Sequence, residues 1–382
     1  MASVWDAMTW SMEQFIANEV KQGEVGVVED VKESLIKITL LVIGRKGFGK
    51  DWRWRMSETE SFDMPFEESL FTVEQSVLLQ IVLPAWLMRT LPVTRLQKYW
   101  RARVAFLKHL ERMYFEKRAQ LEHDSVGSEG KEDQVPTDLL GALVHSQLST
   151  EQEARLQGGD GTVAGLMKSE IIGNMCHETS GHTLGFAMAY LALYPEWQEE
   201  IRKEIEAACG KSAPTYNVMH ELPLTLAVCL ETLRLRDIVS TVMKKAIVDV
   251  EVPYTTWDSA GNVTRRMHLV KKGSLFVIDS AATSLNPHAW GADSMEFNPR
   301  RHLMTTPPYV SFSLGARQWL GKRFAEVEMT SFISGICFRY TILPVKTHEG
   351  ETWHELKTRM IDSATEQISF TPGRFAVRLE KR

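Results

Sequence analysis

Apolar positions recur at the three- and four-residue spacing of a helix face through most of the chain. Val4, Trp5, Met8, Met12, Phe15 and Ile16 form one such stripe, and Val28, Val31, Leu35 and Ile38 the next. Gly44 and the cluster Gly47-Phe48-Gly49 end the second helix. Two long helices are expected over 69–90 and 97–121, parted by Leu91-Pro92. Residues 122–136 are acidic and turn-rich and read as a surface loop. A second soft stretch, Gln157 to Gly161, precedes a helical pattern from about Leu166 to Ala208, and Leu222 to Leu235 reads as a further helix. Alternation of the strand kind is confined to 245–278, around the turn Asp258-Ser259-Ala260-Gly261, and to 365–380. With no internal repeat and no low-complexity linker, the pattern predicts a mostly α protein with a small β portion. It forms a single domain over 1–382, divided into N-terminal helices (1–121), the acidic loop (122–136) and a larger remainder (166–382).

Composition narrows the picture mainly by exclusion. The 382 residues are 44% hydrophobic and 24% charged, ordinary globular usage, and the net charge of -5 gives no basis for a nucleic-acid surface. The four cysteines (Cys176, Cys209, Cys229, Cys337) are too scattered for a disulfide framework or a paired zinc spacing, which favours a reducing compartment. No run approaches the ~18 uninterrupted apolar residues of a membrane span; Lys37 and Gln80 break the best two, Leu35 to Ile43 and Val77 to Met88. Residues 1–20 lack a basic start followed by an apolar block, so no signal peptide and no transmembrane anchor are expected.

Candidate chemistry concentrates at one junction. The glycine-punctuated stretch from Phe312 through Gly315, Arg317, Trp319 and Gly321 runs directly into an apolar helix carrying Phe324, Val327, Met329 and Phe332. Glycines let backbone approach a flat group closely, and Arg317 offers a fixed fork of donors to a carboxylate. Other sites fare worse. Gly44 to Lys50 has the spacing of a phosphate loop after the strand-like run Ile38 to Ile43, but Asp51 stands where a magnesium-binding hydroxyl is needed. His177 and His182 are five apart, about 140° around a helix, and would diverge rather than share a zinc ion. There is no Asp-Asp pair for a metal-diphosphate site and no Gly-x-Ser-x-Gly elbow for a serine hydrolase.

The junction resembles the haem-binding segment of the cytochrome P450 family, of the fungal microsomal kind: Phe312, Gly315, Arg317, Gly321, Phe324 and Ala325 all fall in register. Upstream, Glu231-Thr232-Leu233-Arg234, then Asn286 to Gly291, then Phe297 to His302 follow in the family's order, with Arg300 and His302 in place of the acid and aromatic that the resemblance implies. The resemblance implies a cytochrome P450-like domain lacking the family's N-terminal helices, and a buried charge cluster of Glu231, Arg234 and Arg301. It also implies haem held by Phe312, Gly315, Arg317 and Gly321, with Glu178 and Thr179 as the acid-alcohol pair of the central helix. The implied activity is oxidation of an apolar small molecule of secondary-metabolite type, with electrons from a flavoprotein reductase. The implied location is cytoplasmic or peripheral to the endoplasmic reticulum. The family's axial cysteine position holds Trp319, whose indole has an N–H donor and no lone pair for iron, so the metal would have no ligand there. Two other readings therefore stand beside the monooxygenase: a haem-free protein that binds or rearranges a hydrophobic molecule, and a non-catalytic interaction protein.

Overall fold

A computed structural model of the 382-residue chain describes all residues except 21–24, 55–63, 77–78, 80–82, 127–137, 157–177, 259, 305–309, 316–317, 320 and 367–368. Helices dominate. The first, Ala2–Phe15, buries the expected stripe of Val4, Trp5, Met8, Met12 and Phe15. The second spans Val31–Gly47 and is started by Asp30, whose carboxylate accepts from the Glu33 N–H at 3.0 Å. Val28 does not belong to it: Val25–Val28 is strand β1, whose alternate valines are buried against the sheet. Ile38 to Ile43 is helical, which removes the strand that a phosphate loop would need.

The helix expected over 69–90 is instead two, Phe66–Gln75 and Ala85–Thr90, the second starting directly after Pro84, which lacks the N–H a continuing helix would use. Thr94–Val126 continues past 121 into the stretch read as an acidic loop, and the rest of that loop up to 137 lies outside the described residues. Leu139–Leu156 adds a further helix. The soft stretch at 157–161 and the helix expected from Leu166 fall in 157–177, outside the described residues, so the central helix is described from Glu178 to Leu193.

Nearly every side chain of that central helix is buried, which is what an apolar composition on all faces requires. It can lie in the middle because Gly181 meets the helix Val31–Gly47 almost backbone to backbone: a Cβ there would come 3.1 Å from the Ile36 Cα. The amphipathic helix Pro195–Cys209 follows, then Pro223–Leu235, each with proline in its first turn. A second helix of similar burial, Lys322–Arg339, follows the glycine loop and packs against Ala2–Phe15 and Pro223–Leu235.

The β portion is split into small pieces. β1 and β6 (Tyr340–Pro344) flank β9 (Val377–Lys381) in an antiparallel sheet, with Ile342 opposite Leu379 and Val28 opposite Val377. Both edges were missed in the sequence, which carried signal only for the C-terminal strand. β3 (Val250–Trp257) and β4 (Val263–Val270) form the hairpin expected around Asp258, and Asp258 caps the turn by accepting from the N–H groups of Ala260 and Asn262. β2 (Thr241–Lys245) pairs with β5 (Leu275–Asp279), and β7 (Thr365–Glu366) with β8 (Phe370–Thr371).

Candidate functional site

The central helix, the helix Pro223–Leu235 and the glycine loop converge on one cavity of about 310 Å³, near the small end of ligand pockets. Thr179, Ser180 and Thr183 line it from the central helix, Leu233, Asp237, Ile238, Val239 and Val242 from the segment after Arg234. Ser311, Phe312, Ser313 and Trp319 close it from the loop, and Ala325 and Met329 from the helix that follows. The loop that sequence pattern alone marked as a ligand site therefore does wall a cavity.

Inside the loop, the Trp319 N–H donates to the Phe312 carbonyl at 2.9 Å, closing the turn. The two rings lie parallel and offset, 5.9 Å between centroids with 2° between planes. Gly315 adopts a left-handed conformation, φ 68°, as the turn requires. Gly321 is demanded by the indole: a Cβ there would lie 2.6 Å from the Trp319 ring. Arg317 lies outside the described residues, as do His177 and Cys176. Lys322 lies over the Phe312 ring, and Lys244 reaches the Ser313 hydroxyl at 3.4 Å.

The predicted acid and alcohol diverge. Thr179 faces the cavity, whereas Glu178 is absent from its wall and lies 3.4 Å from the ring of His182, whose other nitrogen is 3.4 Å from the Ser369 hydroxyl. Burial raises the Glu178 carboxyl above its ordinary range, with Lys32 opposing.

Glu231, Arg234 and Arg301 do come together. Arg234 is fully buried and grips both oxygens of Glu231, at 2.8 and 2.9 Å. Its remaining donors go to the carbonyls of Ser284, Ser294 and Glu296, and its guanidinium lies 5.1 Å from the Trp290 ring centroid. Arg301 reaches the same carboxylate at 3.0 Å and also Asp293. His302, which reads as a departure from the family pattern, joins at 2.9 Å from Glu231. Burial alone would raise the Glu231 carboxyl, but the hydrogen bonds from Arg234 and His302 and the Arg234 charge hold it down at about 2.

Two buried acids were passed over by sequence reasoning: Asp237 lines the cavity, and Glu328 reaches the lining residue Ser180 from behind the wall. Asp237, just past the Glu-x-x-Arg helix, is 5% exposed; burial pushes its carboxyl up to about 6 against hydrogen bonds from Ser280 and the Val239 N–H. Glu328, on the helix Lys322–Arg339, is 2% exposed, and burial pushes it up to about 8 against a hydrogen bond from Ser180. Both were legible as anomalies, an acid following an apolar helix end and an acid between Val327 and Met329.

A long buried central helix, a clamped Glu-x-x-Arg helix and a glycine loop walling a cavity make a mostly α fold built around one ligand-sized space. The cytochrome P450 family model matches residues 1–368. The chain is 30% identical over 398 residues to cytochrome P450 monooxygenase 124 of Postia placenta, covering 99% of this chain and 71% of that protein. It is 24% identical to the ganoderic acid synthetase CYP5150L8 of Ganoderma lucidum, over 90% and 68% of the two chains. Of two further Postia placenta monooxygenases, numbers 91 and 205, it spans 64% and 61%. The crystal structure of a cytochrome P450 (CYP102L1) superposes with a TM-score of 0.69 at 19% identity, over 100% of this chain and 78% of that one. The chain belongs to the cytochrome P450 family.

That family implies haem, and the residues present can be tested against it. Trp319, which the resemblance sets at the axial position, has an indole that offers no lone pair to iron. Of the cysteines among the described residues, none lines the cavity: Cys209 is half-buried elsewhere, and Cys229 and Cys337 are buried in the core. Burial holds the Cys229 thiol far above its ordinary range and pushes Cys337 up to about 12, so neither is a thiolate at neutral pH. Met329 brings a thioether to the wall, but a thioether lacks the electron push of a thiolate. Thiolate-ligated haem does not fit this set of donors.

Proposed function

We propose that this chain is a cytochrome P450-family protein that binds a small apolar molecule in the haem-side cavity, without the thiolate-dependent oxygenation for which its relatives are named. The observation that carries the reading is Trp319 on the cavity wall, stacked on Phe312 and packed against Gly321 where an iron ligand would be needed. The fungal relatives' names, monooxygenase and ganoderic acid synthetase, support descent from enzymes that act on apolar metabolites. The largely apolar wall supports retention of that ligand class. Oxidation fed by a flavoprotein reductase belongs to a form carrying a thiolate. No helix among the described residues is long and apolar enough to cross a membrane, which is consistent with a cytoplasmic protein or one at the surface of the endoplasmic reticulum.

The test is a reduced, carbon-monoxide-treated absorption spectrum of protein supplied with haemin. The wild-type chain is expected to show no Soret band of the thiolate-ligated kind, and Trp319→Cys to gain one. A thiolate-type band in the wild type would overturn the proposal.

A further inference from the structure

The cavity is apolar apart from five hydroxyls, of Thr179, Ser180, Thr183, Ser311 and Ser313, and one carboxyl, Asp237. A carboxylate has roughly four acceptor positions. Two donors reach this one: the Ser280 hydroxyl and the Val239 N–H. Among the described residues, no lysine, arginine or histidine lies within ion-pair distance of it, in contrast to Glu231, which has two arginines and a histidine. Burying a charge is expensive unless it is paired. The buried oxygens therefore leave an acceptor position and an uncompensated negative charge beside an apolar space.

We infer that the cavity selects an apolar small molecule bearing a protonated amine, with Asp237 accepting from the ammonium and the apolar wall of Leu233, Ile238 and Val242 covering its hydrocarbon body. An ammonium matches the site better than a hydroxyl, because both can donate to the carboxylate but only the ammonium supplies the opposite charge it lacks. The elevated titration of Asp237, at about 6, still leaves it ionised at neutral pH and so able to serve. This inference rests on the cavity-binding reading above and adds the ligand's polar group to it.

Calorimetric titration of the full chain at neutral pH with 2-phenylethylammonium, 2-phenylethanol and 3-phenylpropionate separates the two. The ammonium is expected to bind at least about tenfold more tightly than the alcohol of the same skeleton, and the carboxylate more weakly than either. Asp237→Asn should abolish that preference by weakening ammonium binding at least about tenfold. Equal affinity for ammonium and alcohol in the wild type would overturn the role of Asp237 and leave the cavity reading standing. Failure of both to bind would overturn the cavity reading and this inference with it. The wild-type comparison decides the matter even if the variant misfolds.

Discussion

Glu328 gives the sharpest stability test, because the fold buries its carboxyl with a hydroxyl partner and no cation among the described residues. Its folded-state value of about 8 lies above the ordinary 4.5. Between these limits the folded chain keeps a proton that the unfolded chain releases, so stability is fully present below about 4.5 and falls as pH rises toward 8. At ~1.36 kcal/mol per pKa unit, linkage from pH 5 to pH 8 removes roughly 3–4 kcal/mol through this one group. For a chain of 382 residues that is a fall of roughly 4 °C in Tm. Glu328→Gln keeps an oxygen to accept from Ser180 and removes the titration, so its Tm should lose about that much less than the wild type's between the two pH values. The extra amide donor lowers stability by a pH-independent amount and leaves the slope untouched. Differential scanning calorimetry of both proteins across the range reads the difference; parallel curves would refute the burial of a protonated Glu328.

Other consequences follow from the same geometry. Glu231→Ala strands Arg234 without its carboxylate and should destabilise the fold by about 3–5 kcal/mol, read as a lower midpoint in urea unfolding with an unchanged slope. Because Glu231 titrates at about 2 instead of 4.5, it contributes roughly 3 kcal/mol above pH 4.5 that is lost as pH falls toward 2, and an unfolding series in that window should steepen accordingly. Gly321→Ala must push the Trp319 indole off the loop, and should shift tryptophan emission with a stability loss of about 1–3 kcal/mol. Gly181→Val sets its side chain against the Ile36 backbone, so soluble yield should drop well below that of the wild type.

Much of the helical frame was legible because helix stripes are local: Met8, Met12 and Phe15 announce their face without any partner. The edge strands β1 and β6 were not, since Val25–Val28 and Tyr340–Pro344 are short and take their register from β9, distant in sequence from β1. Pro84 was in plain view but was overridden by the apolar run on either side of it. The glycine loop was readable from spacing. Asp237 was not readable as a cavity-lining group, nor Glu328 as a buried one, because one acid in an apolar context carries no period, and only the fold decides whether it points to solvent or inward. His302 shows the same limit in reverse: it reads as a degraded position yet is a ligand of the Glu231 carboxylate.

The charge cluster and residue 319 answer different questions about this protein. Arg234 and Arg301 tie the Glu-x-x-Arg helix to carbonyls at 284, 290, 293, 294 and 296, so the cluster crosslinks segments distant in sequence whether or not a cofactor is present. Removing any partner exposes a buried charge, which makes the cluster hard to lose under any function that needs the fold. Trp319 is under no such constraint: its indole stacks on Phe312 and fills space beside Gly321, with no buried charge to strand. The frame and the chemistry at the loop can therefore change independently. Preservation of the Glu-x-x-Arg cluster thus reports stability, and the chemistry must be argued from the cavity wall alone.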